Sequence, residues 1–410
     1  MVAPQMPDTH NTSDAPTTYA QRYLSRLQAY QEEMLARLAT LINIDSGTGQ
    51  VTGINGIIAH LHEWLVALGF AVTLHPTQPF GNNLVAHRRG TGTARILLVG
   101  HVDTVYAEGA AQTHPFRLEE NIVQGPGAID MKSGVIMCIY ALRVLLEEGF
   151  DGFGDLYVVF NNDEEIGSTG SAPLLQEIAK RVDVGLVLES SRSANIVTKA
   201  RKGADKYLLE VTGIPAHSGA EPQKGRSAVV ELAHKILAIN NISTLFYGVT
   251  CNVTRISSSE QLNMVPDMAR CHISIRAYDE RSLNMAADAL ESIAAGSSVP
   301  DTHTRLLRMP GRRPYQATPA LLDLLRVAQL EGNALGLTIV AEGKGGVSDA
   351  NTLMAAGVPT LDSLGPIGGG MHNLNREYLR ADSLALRGAL LAGLVQHLSL
   401  SKSTGAEPLP

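Results

Sequence analysis

Cysteine is almost absent from this chain. Cys138, Cys251 and Cys271 are odd in number and far apart, which argues against a disulfide framework and points to reduced thiols. Cys251 and Cys271 could sit on neighbouring strands, although two small core residues is the plainer account. A strong charge of one sign is also missing. A formal net charge of −7 over 410 residues speaks against a nucleic-acid binder. No uncharged apolar stretch reaches membrane-spanning length. The polar segment Met1 to Thr18, with Pro4, Pro7 and Pro16, lacks an apolar h-region and is expected to be a disordered lead, not a signal peptide. These absences leave a soluble, cytoplasmic protein as the expectation. No internal repeat is visible, and the length exceeds one ordinary core, so two domains are expected.

Apolar periodicity predicts one long helix from about Tyr19 to Asn43 and a second over about Ile54 to Leu68. Short strands are expected at residues 71–75, 83–87 and 95–100, a helix over 131–148, a buried strand at 155–161, a helix at 172–180 and another buried strand at 182–188. This alternation predicts an α/β layer architecture. From about Lys202 the texture changes to half-buried strands at 206–212, 248–257 and 268–277, separated by helices at about 227–240 and 281–295. That is a smaller α+β unit. It ends at Met309-Pro-Gly-Arg-Arg-Pro314, which looks like a hinge, after which α/β texture resumes. The expected division is a lead over 1–18, a metal-binding domain over 19–202 and 311–410, and an inserted α+β lid/dimerisation domain over 203–310.

Five segments end in groups that can hold a metal. His101 and Asp103 close an apolar run and point to one side, because strand side chains alternate. His101 can ligate while Asp103 holds its imidazole. Taken alone, such a pair is more often a solvated strand end. Gly125-Pro-Gly-Ala-Ile-Asp130 is a glycine-rich turn that delivers Asp130 before a helix, where a carboxylate is also a common cap. Glu164 and Glu165 follow a buried strand; they could be a solvated loop, or one could bind metal while the other moves protons. Glu189 closes the next strand. Gly368-Gly-Gly-Met-His372 is a flexible stretch ending in histidine. In open α/β sheets the functional crevice lies at the carboxyl ends of the strands, so these groups would converge. Two imidazoles and three carboxylates suit divalent metals, zinc first. The charge of Asp130, Glu165 and Glu189, about −3, calls for about +4 from two ions with a bound hydroxide.

Taken together and in order, the motifs Gly100-His-Val-Asp-Thr-Val105, Gly127-Ala-Ile-Asp-Met-Lys132, Asp163-Glu-Glu-Ile-Gly167, Leu188-Glu189, His217-Ser-Gly-Ala-Glu-Pro222 and Gly370-Met-His372 resemble the M20 family of dinuclear zinc peptidases and amidohydrolases, in particular its glutamate carboxypeptidase-like branch. The resemblance implies that His101 and Glu189 bind one metal, that Glu165 and His372 bind the other, and that Asp130 bridges them. It implies Glu164 as general base and a cis peptide after Asp130. Ser133 stands where a second glycine is usual, a departure that concerns the local turn. It further implies that His217, from the lid, stabilises the oxyanion in a partner subunit's site, that Asn263 binds substrate or oxyanion, and that Arg276 grips a free carboxylate. Arg313 is a weaker candidate for that recognition. Without the resemblance, a turn residue is the plainer reading of His217 and a solvated hinge residue that of Arg313, while Arg276 stays open between a surface arginine and a binding one.

The expected activity is hydrolysis of an amide bond in an N-acyl amino acid or short peptide with a free carboxylate, C-terminal glutamate or aspartate favoured. A hydroxide bridging two zinc ions (cobalt or manganese in their place) would attack, with Glu164 as base. An acetylornithine- or succinyl-diaminopimelate-type deacylase, or a dipeptidase, uses the same site. A non-catalytic binding protein that kept the fold, or a protein holding a single metal, is the rival from another class. The expected partners are a small substrate and a second copy of the chain bound through the lid, with neither nucleic acid nor membrane.

Overall fold

The computed structural model describes residues 18–403. The lead expected over residues 1–18 lies, apart from Thr18, outside them. A six-stranded sheet forms the larger layer. Its order is Ala71–Thr77, Gly81–Arg89, Asp155–Asn161, Arg95–His101, Val184–Val187 and Thr360–Leu361. The last four run parallel, and the first two join antiparallel at one edge. Arg95–His101 is buried at every residue but the first. Its alternation divides two cores. Ile96 and Leu98 pack with the helices on one face, and Leu97 and Val99 with those on the other. A parallel strand covered on both faces reads as a continuous apolar run for this reason.

The helix Ser133–Glu147 is buried through its first three turns. Ser383–Ser403 packs against it and against Ala20–Ala29. This last helix has the length and mean hydropathy to cross a membrane by composition alone, but 78% of its apolar window is buried inside the protein. Arg387 within it is fully buried and donates to the carbonyls of Gly365 and Ala194 at 3.0 and 2.8 Å, as well as to that of Ser363. It is a core helix.

The second unit is an antiparallel sheet in the order Thr250–Ser258, Met268–Ala277, Gly203–Thr212, His303–Arg312. Helices Ala228–Leu245 and Glu280–Ala295 cover one face and close a separate core around Leu209, Ile273, Leu232 and Leu290. The molecule is thus an α/β protein carrying an α+β unit within its chain. Cys251 and Cys271 lie on adjacent strands but oppose Ile275 and Ile256, and both are free and buried.

Three features depart from the sequence expectation. The long helix at the start is two, Ala20–Ala29 and Gln31–Ile42, broken at Tyr30. Tyr30 reaches Glu147 with its hydroxyl and lies under the Arg143 guanidinium at 4.1 Å. A tertiary contact sets the break, with no glycine or proline to announce it. The small sheet has a fourth strand, His303–Arg312, where the sequence suggested a hinge. Proline is tolerated there because this is an edge strand. Finally, Ile196–Arg201 and Val340–Lys344 form a short parallel pair that brings Gly343 and Lys344 into a strand end.

Candidate metal centre

Three parallel strands end side by side. His101 pairs with Asn161 in register, and Val99 with Val187. His101 is therefore level with the turn that carries Glu164 and Glu165, and with Glu189 just beyond Val187. Asp130 enters from the turn before helix Ser133–Glu147, and its peptide bond to Met131 is cis. The helix start sits hard against the strand end that bears Glu189. A Cβ on Gly134 would lie 2.5 Å from the Leu188 carbonyl oxygen, so only glycine fits. The turn forms with Ser133 in place, fully buried.

The donor atoms converge. His101 Nε2 lies 3.3 Å from Asp130 Oδ1 and 3.7 Å from Glu189 Oε1. His372 Nε2 lies 3.2 Å from Asp130 Oδ2 and 3.2 Å from Glu165 Oε2. Asp130 thus turns one oxygen to each histidine. Two ligands bound to one tetrahedral zinc at 2.0–2.2 Å stand about 3.4 Å apart, which is the spacing found here. His101 Nε2 is buried and makes no hydrogen bond among the described residues. A sealed imidazole nitrogen facing carboxylates with no bond of its own is what a ligand lacking its cation looks like. The residues therefore fit a metal.

The protonation equilibria carry the same message. Burial works against a charged His101, yet Asp103 and Asp130 raise its pKa well above the ordinary imidazole value. Hydrogen bonds to Asp130 and Glu165 push His372 up to about 10. Burial, then the Asp130 charge, pushes Glu189 up to about 7. Burial also opposes the Asp130 carboxylate, but both histidines hold it below its usual range. Protons occupy positions where the donors call for positive charge.

Supporting groups fix the ligands. His101 Nδ1 lies 3.0 Å from the Asp103 carbonyl oxygen and 3.4 Å from its carboxylate. The Asp103 carboxylate, fully buried, accepts from the amides of Glu164 and Glu165 at 3.0 and 3.2 Å and from Thr48 at 2.7 Å. It aims both acids as well as the imidazole. Glu377 was not foreseen. It is 1% exposed and accepts from the amides of Gly127, Ile129 and Asp130 at 3.3, 2.9 and 3.2 Å. It also accepts from the Tyr106 hydroxyl, and its backbone N–H partners leave no trace in sequence.

A cleft of about 330 Å³ holds Asp130, Glu164, Glu165, Glu189, His372 and, on the opposite wall, Arg276 and Lys206. Arg276 donates to the Gly345 carbonyl at 3.3 Å and Lys206 to that of Ile166 at 3.1 Å. Neither has a carboxylate partner among the described residues. His217 and Asn263 lie elsewhere on the small unit. Both are exposed, joined by the Ser218 amide donating to the Asn263 carbonyl at 2.9 Å. Arg313 lies outside the residues that line the cleft, half-exposed, with its Nε 3.8 Å from Glu280. Its neighbour Arg312 is the buried one, with Nη1 2.6 Å from Glu164 Oε1.

The strand-end donors and the cleft beside them define a metal-dependent hydrolase. The sequence pattern of peptidase family M20/M25/M40 matches residues 97–397. Carboxypeptidase G2 of Pseudomonas sp. (strain RS-16) is 31% identical over 376 residues, 91% of each chain. An acetylornithine deacetylase of Proteus mirabilis is 28% identical over 64% of this chain and 68% of its own. An M20 family metallo-carboxypeptidase structure from Sulfolobus solfataricus superposes with a TM-score of 0.72 at 14% identity, over 90% of this chain and 99% of that one; at that identity the likeness shows the fold alone. The chain belongs to the peptidase family M20/M25/M40. It is an enzyme of the metallo-carboxypeptidase and amidohydrolase type, hydrolysing amide bonds, which sets aside the non-catalytic alternative.

Proposed function

We propose that this chain removes a C-terminal amino acid, glutamate or aspartate favoured, from an N-acyl amino acid or short peptide, using two divalent cations, zinc first. The reading places His101 and Glu189 on one ion, Glu165 and His372 on the other, and Asp130 between them. The observation that carries it is the division of Asp130, one oxygen toward each histidine. When bound, the cations would supply Lewis acidity and lower the pKa of their water toward about 7.

The rest falls to side chains. Glu164 takes a proton from the attacking water and passes it to the departing nitrogen. Arg276 grips the free carboxylate, since its planar fork binds two oxygens at once. Lys206 lies on the same face of the small sheet: it opposes Ser274, and Arg276 opposes Ala204, two residues along each strand. Two cations without carboxylate partners support a substrate that brings two negative charges. His217 and Asn263, exposed together, are assigned to oxyanion and substrate contacts in the partner's cleft of a homodimer formed through the small unit. Three free, buried cysteines suit a reducing, cytoplasmic setting. A deacylase of the acetylornithine or succinyl-diaminopimelate type, or a dipeptidase, is the second reading, favoured by relatives of the first two kinds.

The test joins metal titration to a substrate panel. Two zinc equivalents per chain are expected, with acyl-glutamate turned over at least about tenfold faster than acyl-alanine or acetylornithine. One equivalent would remove the two-ion reading, and a preference for acetylornithine would install the second.

A further inference from the structure

Arg312 ends the last strand of the small unit yet buries its guanidinium in the larger one. The strand reaches this point through an irregularity. Met309 pairs with Lys206 and Arg312 with Ala204, so three steps on one strand oppose two on the other. One extra residue in a strand reverses the alternation of faces beyond it. Gly311 permits this, because a Cβ there would lie 2.3 Å from the Ala204 carbonyl oxygen. Pro310-Gly311 therefore turns Arg312 inward and leaves Arg313 outside.

Inside, the two arms of Arg312 do different things. Nη1 meets Glu164 Oε1 at 2.6 Å. Nη2 meets Asp349 Oδ1 at 2.9 Å and the Ser168 hydroxyl. Asp349 is itself held, by Ser168 Oγ at 2.6 Å and Asn161 Nδ2 at 2.7 Å. One arm is anchored on a rigid platform while the other holds a single oxygen of Glu164. The second oxygen, Oε2, accepts no hydrogen bond among the described residues, and Glu164 lines the cleft.

We infer that Arg312 is the positioning residue for the base: it pins Glu164 Oε1 from the small unit and so presents Oε2 to the reacting water. This rests on the reading of Glu164 as base. A guanidinium suits this role because separate nitrogens of one planar fork bond Glu164 and Asp349.

The experiment is a double-mutant comparison of Glu164→Gln, Arg312→Lys and the pair, each with metal content and melting temperature recorded. Glu164→Gln is expected to lower kcat by about 10³. Near-native kcat in that variant, with metal bound, overturns the base reading whatever Arg312 does. Arg312→Lys is expected to lower kcat about 30-fold with KM within about threefold, and to add nothing on the Glu164→Gln background, because groups acting as a unit are non-additive. With Glu164→Gln inactive, native kcat in Arg312→Lys, a loss confined to KM, or losses that multiply in the pair would each overturn the positioning role. Should Arg312→Lys not fold, Ser168→Ala loosens the anchored arm by removing one of its two contacts and one of the bonds that hold Asp349. It is expected to lower kcat about threefold at constant KM, and only in the presence of Glu164; an unchanged kcat sinks the inference.

Discussion

The two walls of the cleft differ in sign. The strand-end wall presents Asp130, Glu164, Glu165 and Glu189, and the opposite wall presents Arg276 and Lys206 from the small sheet. Among the described residues, only Arg312 reaches across to make an ion pair with the acidic side, at Glu164. The walls are not simply neutralising each other. The acidic wall has an orphaned imidazole and raised pKa values, so its deficit is of cations. The basic wall has ammonium and guanidinium groups bound, among the described residues, only to backbone carbonyls, so its deficit is of anions. On the proposed reading, each wall receives a visitor of opposite charge.

The comparison breaks most completely at Asp130. Asp130→Asn weakens the donor shared by both histidines, and bound zinc should fall from two equivalents to one or fewer, with activity down at least about 10³-fold. Elemental analysis beside kinetics checks this. Two retained equivalents would show that Asp130 is not shared.

On the basic wall the expected effect is smaller and selective. Lys206→Met should raise KM about 10- to 100-fold for substrates ending in glutamate or aspartate, and less than about threefold for those ending in alanine. An equal rise for both would mean that Lys206 shapes the cleft without reading a second carboxylate.

pH sharpens the contrast on the metal-free protein. His372 and Glu189 both have folded pKa values above their ordinary ones, about 10 and about 7. Their contribution to stability is complete below the unfolded pKa and is lost as pH rises through the folded one. The melting temperature of the metal-free chain should therefore fall between about pH 5 and pH 10. The Asp130 shift has the opposite sign and acts only under more acidic conditions. Bound metal replaces those protons, so the loaded protein should lose less over the same range, and binding near pH 7 should release protons in calorimetry. A metal-free protein that gains stability toward pH 10 would contradict the assignment.

The smallest effect belongs to Arg313→Ala. With its side chain half-exposed and outside the cleft, kcat and KM should both stay within about twofold.

Much of the acidic wall was legible in sequence. His101, Glu165 and Glu189 each follow an apolar run that reads as a buried strand, and parallel strands bring such ends together. The basic wall was harder to read. Arg276 came from resemblance alone, and Lys206 lay inside a segment that reads only as a half-buried strand. Arg312 was missed in favour of its neighbour because one extra residue at Pro310-Gly311 reverses which side chain turns inward. Tyr30 breaks a helix through contacts more than a hundred residues away in sequence. Glu377 serves three backbone amides and the distant Tyr106 hydroxyl. What escaped the sequence is what depends on parity or on distant partners.

Glu377 also bears on how the centre comes apart. His372 and Glu377 share one short segment, and the Glu377 carboxylate grips the turn that presents Asp130. If the proposed ligand set holds, a shift of that segment withdraws His372 directly and slackens Asp130 by way of three amides. On that reading, damage from this side, whether by a strained substitution or a proteolytic nick, reaches both histidine-bearing halves of the site together.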